Sequence, residues 1–179
     1  FSHGRATGNN VQSFNAYNTS TDSVLATTDV EIIGNAASFG ITNQQTSYAF
    51  KMYNNFASSM NVYNSKPGTS NEIVNNTIYQ PLGGDVAPIY ITGNGNPGSG
   101  GNVAIMNNAI SFVVRETNAC IQSDNIATVT ASYNVSTNAF VVEGTITQSN
   151  NTGAVNMNFN NTAYTVTGGN VNAGNPAVQ

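Results

Sequence analysis

The sequence predicts an all-β protein: a single antiparallel β-sandwich over residues 23–179, preceded by an extended N-terminal arm over residues 1–22. Three features lead there. Apolar residues recur at period two in short runs, clusters of Asn, Gly, Ser or Pro separate those runs, and helix signals are nearly absent. Strands spaced roughly every 8–12 residues without intervening helices form sandwiches or barrels.

The arm comes first. Residues 1–22 hold the only His and one of the two Arg, but no Pro and no strongly apolar block. After Phe1, its well-spaced apolar side chains are Val11, Phe14, Ala16 and Tyr17. These are too few to form a core alone, yet enough to add as a strand to another sheet. The start at Phe1, without an initiator Met, predicts removal of a leader.

The strands follow in order. In "SVLATTDVEIIG", Val24, Ala26, Thr28, Val30 and Ile32 share one face. Next come "TSYAFKMYN", "FASSMNVYN", "NEIVNNTIYQPL" and "VAPIYITG", with β-branched and aromatic residues filling the runs. "NVAIMNNAISFVVRET" reads as one bent strand or two. "NIATVTASYNV", "NAFVVEGTITQ", "GAVNMNFN" and "TAYTVTGG" read as a meander of hairpins joined by turn residues. In the third of these, Val155, Met157 and Phe159 alternate with Asn156, Asn158 and Asn160, which predicts a core-facing stripe. No internal repeat of solenoid length is evident.

Composition points to the environment. At 179 residues with 39% hydrophobic content, the chain can bury a core without staples. Only 7% of its residues are charged, against roughly 25% in ordinary soluble proteins. Its 31 Asn supply solubility through amides instead. Amides do not titrate. The formal charge therefore runs only from −4 at neutrality to +5 (four basic side chains and one His) once the eight carboxylates are protonated. This predicts tolerance of acid and an extracellular location. Genome-driven enrichment in Asn would raise Lys too, and Lys is scarce. No run of about 20 apolar residues exists, so no membrane span is expected.

Chemical constellations are not evident. A nucleophile triad needs a rigidly held His, and His3 sits at the extreme terminus. The sole cysteine, Cys120, forms no intrachain disulfide and reads as a buried thiol. Zinc sites need several His or Cys, and calcium-loop spacing is missing. Asp29 with Glu31, and Glu116 with Asp124, read as solvent-facing or capping acids. "GNGNPGSGG" lacks the Lys-Ser/Thr ending and the helix of a phosphate loop. The absence of Trp weakens a sugar-binding reading. Four basic residues scattered at 5, 51, 66 and 115 make no nucleic-acid patch. The expectation is a protein that is not an enzyme and has no metal, no cofactor other than N-linked glycans and no nucleic-acid partner.

Five Asn-x-Ser/Thr triplets begin at Asn18, Asn75, Asn134, Asn150 and Asn160. About this many arise by chance in so Asn-rich a chain. Asn134, Asn150 and Asn160 fall at expected turns, where a glycan fits, so glycosylation is expected among the five.

The arm "RATGNNVQSFNAYN", the low charge and the five triplets together resemble the subunits of extracellular filaments built by donor-strand complementation. Among these the chain is most similar to the glycosylated thread filaments of acid-loving archaea. The resemblance implies an Ig-like or pilin-like sandwich lacking one strand, completed by a neighbour's N-terminal arm. It implies a cell-surface homopolymer supporting adhesion or biofilm formation, with copies of itself as partners and contacts to cell surfaces or other filaments. Val11, Phe14 and Ala16 would then fill the groove. Phe14 and Ala16 share one face and Val11 points to the other, so a kink or bulge is needed to bury all three. The chain departs from bacterial chaperone–usher pilins in having no cysteine pair and no aromatic-terminated last strand. A surface-layer or viral coat protein and a monomeric adhesin are the alternative classes.

Overall fold

In the computed structural model the strands coil. The structure describes residues 4–17, 29–44, 49–63, 70–93, 101–124, 128–159 and 164–167. The first coil carries β1 (Gly4–Thr7) and β2 (Asn10–Tyr17), the second β3 (Asp29–Ile33) and β4 (Ala36–Gln44). The third carries β5 (Ala49–Tyr53), β6 (Phe56–Ala57) and β7 (Met60–Val62). The fourth has β8 (Ser70–Val74), β9 (Thr77–Gln80) and β10 (Ile89–Thr92), and the fifth β11 (Asn102–Met106), β12 (Ala109–Phe112) and β13 (Ile121–Asp124). The sixth has β14 (Thr128–Ser132), β15 (Val135–Ser136) and β16 (Val142–Gly144). A last, partial coil begins with β17 (Ile146–Ser149), and β18 (Asn156–Phe159) and β19 (Tyr164–Thr167) follow it.

Strands at the same place in successive coils pair in parallel. The first sheet runs β1-β3-β5-β8-β11-β14-β17 and the second β15-β12-β9-β6-β4-β7-β10-β13-β16, with β2 on β4. The second sheet folds at β4. Ala36 and Ala37 pair with β6, while Ile41, Thr42 and Asn43 pair with β7. The architecture is a parallel β-solenoid. Among the described residues only β18 and β19 pair antiparallel.

This overturns the antiparallel sandwich, Ig-like or pilin-like, together with the absence of a solenoid repeat. The strand positions were legible; their partners were not. Period-two alternation marks a strand with one buried face whichever way its neighbour runs. "NNT" and "YNV" resemble hairpin turns, but a two-residue hairpin of the I′ type needs positive φ at both central residues. Here only the first of each pair has it, as with Asn75 at 58° and Tyr133 at 57°. The chain turns a corner and continues into the other sheet. "NVAIMNNAISFVVRET" resolves into two strands, β11 and β12, on either side of such a corner.

The core is a stack of equivalent positions. From the first sheet, Ile32, Met52, Ile73, Ile105 and Ala131 form one inward column, joined by register, and each is at most 1% exposed. From the second sheet, Ile41, Met60, Ile89 and Ile121 form another, all fully buried. Burying each such side chain stabilises the fold by about 1.5–3 kcal/mol. Gly144 closes the sixth coil at φ 89°, where a Cβ would lie 1.9 Å from the Ser123 carbonyl oxygen, so only glycine fits.

The N-terminal segment belongs to this stack. β1 pairs with β3, and β2 pairs with β4 of its own chain. Val11 and Phe14 pack against their own core, half-buried. A register shift between Val11 and Ser13 marks the irregularity that lets both contribute. Ala16 lies in β2 opposite Asn43. The groove-filling residues of the donor-strand expectation thus build the first coil of the chain that carries them.

Candidate functional site: an asparagine ladder and two open coil ends

Each coil passes from the first sheet to the second through two residues. The first has a left-handed backbone: Gly8, Gly34, Asn54, Asn75, Asn107, Tyr133 and Asn150, with φ between 54° and 67°. Gly and Asn tolerate this conformation best. The second is always Asn: Asn9, Asn35, Asn55, Asn76, Asn108, Asn134 and Asn151.

These seven form a continuous ladder. The backbone N–H and side-chain Nδ2 of Asn76 both donate to Asn108 Oδ1, at 2.9 and 3.0 Å. Asn108 does the same to Asn134 Oδ1, at 3.0 and 2.9 Å. The second Nδ2 hydrogen reaches a backbone carbonyl of the coil before, as from Asn108 to Ile73 at 2.9 Å and from Asn134 to Ile105 at 2.9 Å. Both hydrogens and the oxygen of each buried amide are thereby satisfied. Asn76, Asn108 and Asn134 are fully buried. The sequence reading missed this ladder because its steps are 26, 20, 21, 32, 26 and 17 residues, which no fixed period finds. The usable signal was the dipeptide Gly/Asn-Asn closing an alternating apolar run.

The ladder has a direction. Every step donates from the earlier coil to the later one. Among the described residues nothing donates to Asn9 Oδ1, and its Nδ2 turns to its own Thr7 carbonyl at 3.2 Å and to Asn35 Oδ1. At the other end Asn151 Nδ2 bonds the Ala131 carbonyl at 2.9 Å, and among the described residues its backbone N–H meets no acceptor.

The core is open at the same two places. Val11 and Phe14 at one end, and Phe140, Val142 and Ile146 at the other, are half-buried against it. Gln148 continues the inward column of Ile105 and Ala131 yet is exposed. An open cleft at that end is lined by Phe140, Gln148, Ser149, Asn150 and Asn151.

Outside, four of the charged side chains line up on the first sheet. Arg5, Glu31, Lys51 and Glu72 share one outward column of the first sheet with alternating sign. Arg5 Nε lies 3.5 Å and Lys51 Nζ 3.8 Å from the Glu31 carboxylate. The Tyr53 hydroxyl donates to Glu72. The column continues as Ala104, Thr130 and Thr147. Exposed apolar side chains gather instead on the loops after β9 and β12, where Leu82 is 86% exposed and Val113 and Val114 about half. Beside them Arg115 faces Asp85 at 3.8 Å.

Of the expected glycan carriers, Asn134 is a ladder residue. Its Nδ2 donates to Ile105 and Asn151, and no surface remains for a sugar. Asn75 and Asn150 are left-handed corner residues, Asn75 half-buried and Asn150 exposed. Two of the triplets, 75–77 and 150–152, thus also form corners of the coil. Asn18, Asn160 and His3 lie outside the described residues. Asp124 accepts a hydrogen bond from the Tyr90 hydroxyl at 2.8 Å, and burial, then that bond, pushes Tyr90 up to about 12. Cys120 is buried, and desolvation raises its thiol to about 12. Among the described residues no helix is long and apolar enough to cross a membrane.

No protein-family model, curated protein or solved structure matches the chain.

Proposed function

We propose that the protein is a structural subunit of an extracellular surface filament that polymerises by end-on association of its coils. The observation that carries this reading is the core left half-exposed at both ends of the solenoid, by Val11 and Phe14 at one and Val142 and Ile146 at the other. An open stack of parallel strands presents a row of unpaired backbone groups at each end, and a second stack satisfies both edge and core. The end faces differ, so the contact is head-to-tail, and because they lie at opposite ends of the strand stack it propagates along that stack as a fibre. The sparse charge, 7% of residues, supports an exterior of variable pH. Such a fibre would meet cell surfaces or other filaments and support adhesion, with Asn150 the accessible glycan carrier.

Negative-stain microscopy of the purified chain at rising concentration, with sedimentation in parallel, tests this. Threads of roughly solenoid width, and sedimentation that increases with concentration, are the expected result. Monodisperse particles at every concentration would overturn it. They would favour a monomeric adhesin whose contact is the apolar crest of Leu82, Val113 and Val114.

A further inference from the structure

We infer that the filament junction is a continuation of the asparagine ladder: Asn151 of one copy donates to Asn9 Oδ1 of the next, and β17 of the first pairs in parallel with β1 of the second. The inference rests on the filament reading above and specifies its contact, with a second copy of this chain as the occupant of each open end.

Hydrogen-bond polarity comes first. One end of the ladder offers an acceptor, Asn9 Oδ1, and the other a donor, the Asn151 backbone N–H. Two Asn9 ends would oppose acceptors, and two Asn151 ends would oppose donors. Only head-to-tail contact matches them. Within the ladder, both donors of Asn134 meet Asn151 Oδ1 at 3.0 Å, and the junction repeats that step. Asn9 Nδ2, now on its own Thr7 carbonyl, would then turn to the Gln148 carbonyl of the preceding copy, as Asn134 Nδ2 does to Ile105.

Register comes second. The pairings align Gly4 with Val30, and Val129 with Ile146, as members of one column. Continuing those columns sets Gly4 on Ile146, Arg5 on Thr147, Ala6 on Gln148, Thr7 on Ser149 and Gly8 on Asn150. The sizes match: the inward positions of β1 are Gly4 and Ala6, small residues where Ile146 and Gln148 of the previous copy stand up. On the second sheet, Phe14 heads the column that ends at Val142. Both are half-buried now and would cover one another. Arg5, with one carboxylate neighbour at the edge strand, would meet the hydroxyl of Thr147 and no opposing charge.

A disulfide reports the register. Neighbouring strands lie about 4.8 Å apart, within the Cα separation a disulfide accepts. Thr7→Cys with Ser149→Cys places two exposed outward thiols in contact across the junction. Within one molecule they are separated by the whole stack. Mild oxidation of this full-length double variant is expected to give a ladder of covalent multimers. Arg5→Cys with Ser149→Cys, two residues out of register, is expected to give none. Cross-linking by Thr7→Cys alone would mean head-to-head contact and overturn the inference. Threads by microscopy without cross-links in the matched pair would overturn the junction while sparing the filament. Particles that stay single by microscopy and uncross-linked would sink both, and would mean that residues 156–179 or nothing covers the last coil.

Discussion

From the third coil to the sixth the chain turns two corners after its first-sheet strand, and they obey different rules. The corner between the sheets is two residues in each of the seven described coils, a left-handed residue followed by an Asn that is buried from the second coil to the sixth. The corner within the second sheet is two residues in the third coil, 58–59, but eight in the fourth and fifth, 81–88 and 113–120, and five in the sixth, 137–141. The first corner spends its polar groups inward, on a ladder that fixes the coils in register. The second needs only periodic backbone anchors, such as Met60 N–H to the Pro88 carbonyl and Cys120 N–H to the Val141 carbonyl, each within 3 Å. Between anchors it can lengthen, and there it displays Leu82, Val113 and Val114. A single residue type therefore has two meanings. Asn108 holds the core together, while Asn118 on the variable corner is exposed.

The same substitution at those two positions should separate the corners most sharply. Asn108→Ala removes the acceptor for both donors of Asn76 and leaves them buried and unpaired. A loss of about 4 kcal/mol is expected, at about 1–3 kcal/mol per orphaned group. Asn118→Ala should stay within about 0.5 kcal/mol. Urea unfolding of the two variants measures this, and equal losses would abolish the distinction.

The variable corner has one fixed point that titrates. Burial raises the Cys120 thiol from 9.0 to about 12. Because the folded pKa is the higher one, the stabilisation is complete below about pH 9 and is lost as pH climbs toward 12. The unfolded chain ionises first, so about 2 kcal/mol should be lost between about pH 8 and about pH 10.5. Tyr90, raised in the same direction, adds to this at the alkaline end. Cys120→Ala should flatten the curve over that interval, and an unchanged slope would remove Cys120 as its cause.

The smallest effect sharpens the locked corner. Tyr133 is the one bulky side chain among its left-handed positions, at φ 57°. Four other coils place Asn there. Tyr133→Asn should raise stability by about 0.5–1 kcal/mol through relief of backbone strain. A lower melting temperature would mean that the ring's contacts outweigh the strain.

How much of this was legible is clearest from particular stretches. "AFKMY" and "NEIV" were readable as strands, and β5 and β8 lie there. Val30 and Ile32 were placed on one face and both turn inward, with Ile32 fully buried. The triplets 75–77 and 150–152 were noticed, but as turns and glycan sites. Their function in the fold depends on Asn76 and Asn151 meeting partners 32 and 17 residues away, a spacing set by loops of unequal length. The open coil ends were invisible, because exposure of Ile146 or Gln148 depends on what stacks above them.

By itself, the sequence determined that this is a strand-built, charge-poor protein with a sizeable apolar core. Those properties are local: alternation, β-propensity and turn chemistry act over a few residues. Only the tertiary structure decided that the strands run parallel, that seven of 31 asparagines form the spine, and that the N-terminal segment completes its own chain. The physical reason is that a strand's pattern specifies which face is buried, while its neighbour is chosen by the summed fit of whole coils. Here that fit is the ladder, where each amide is satisfied only if the next coil lies in parallel register above it.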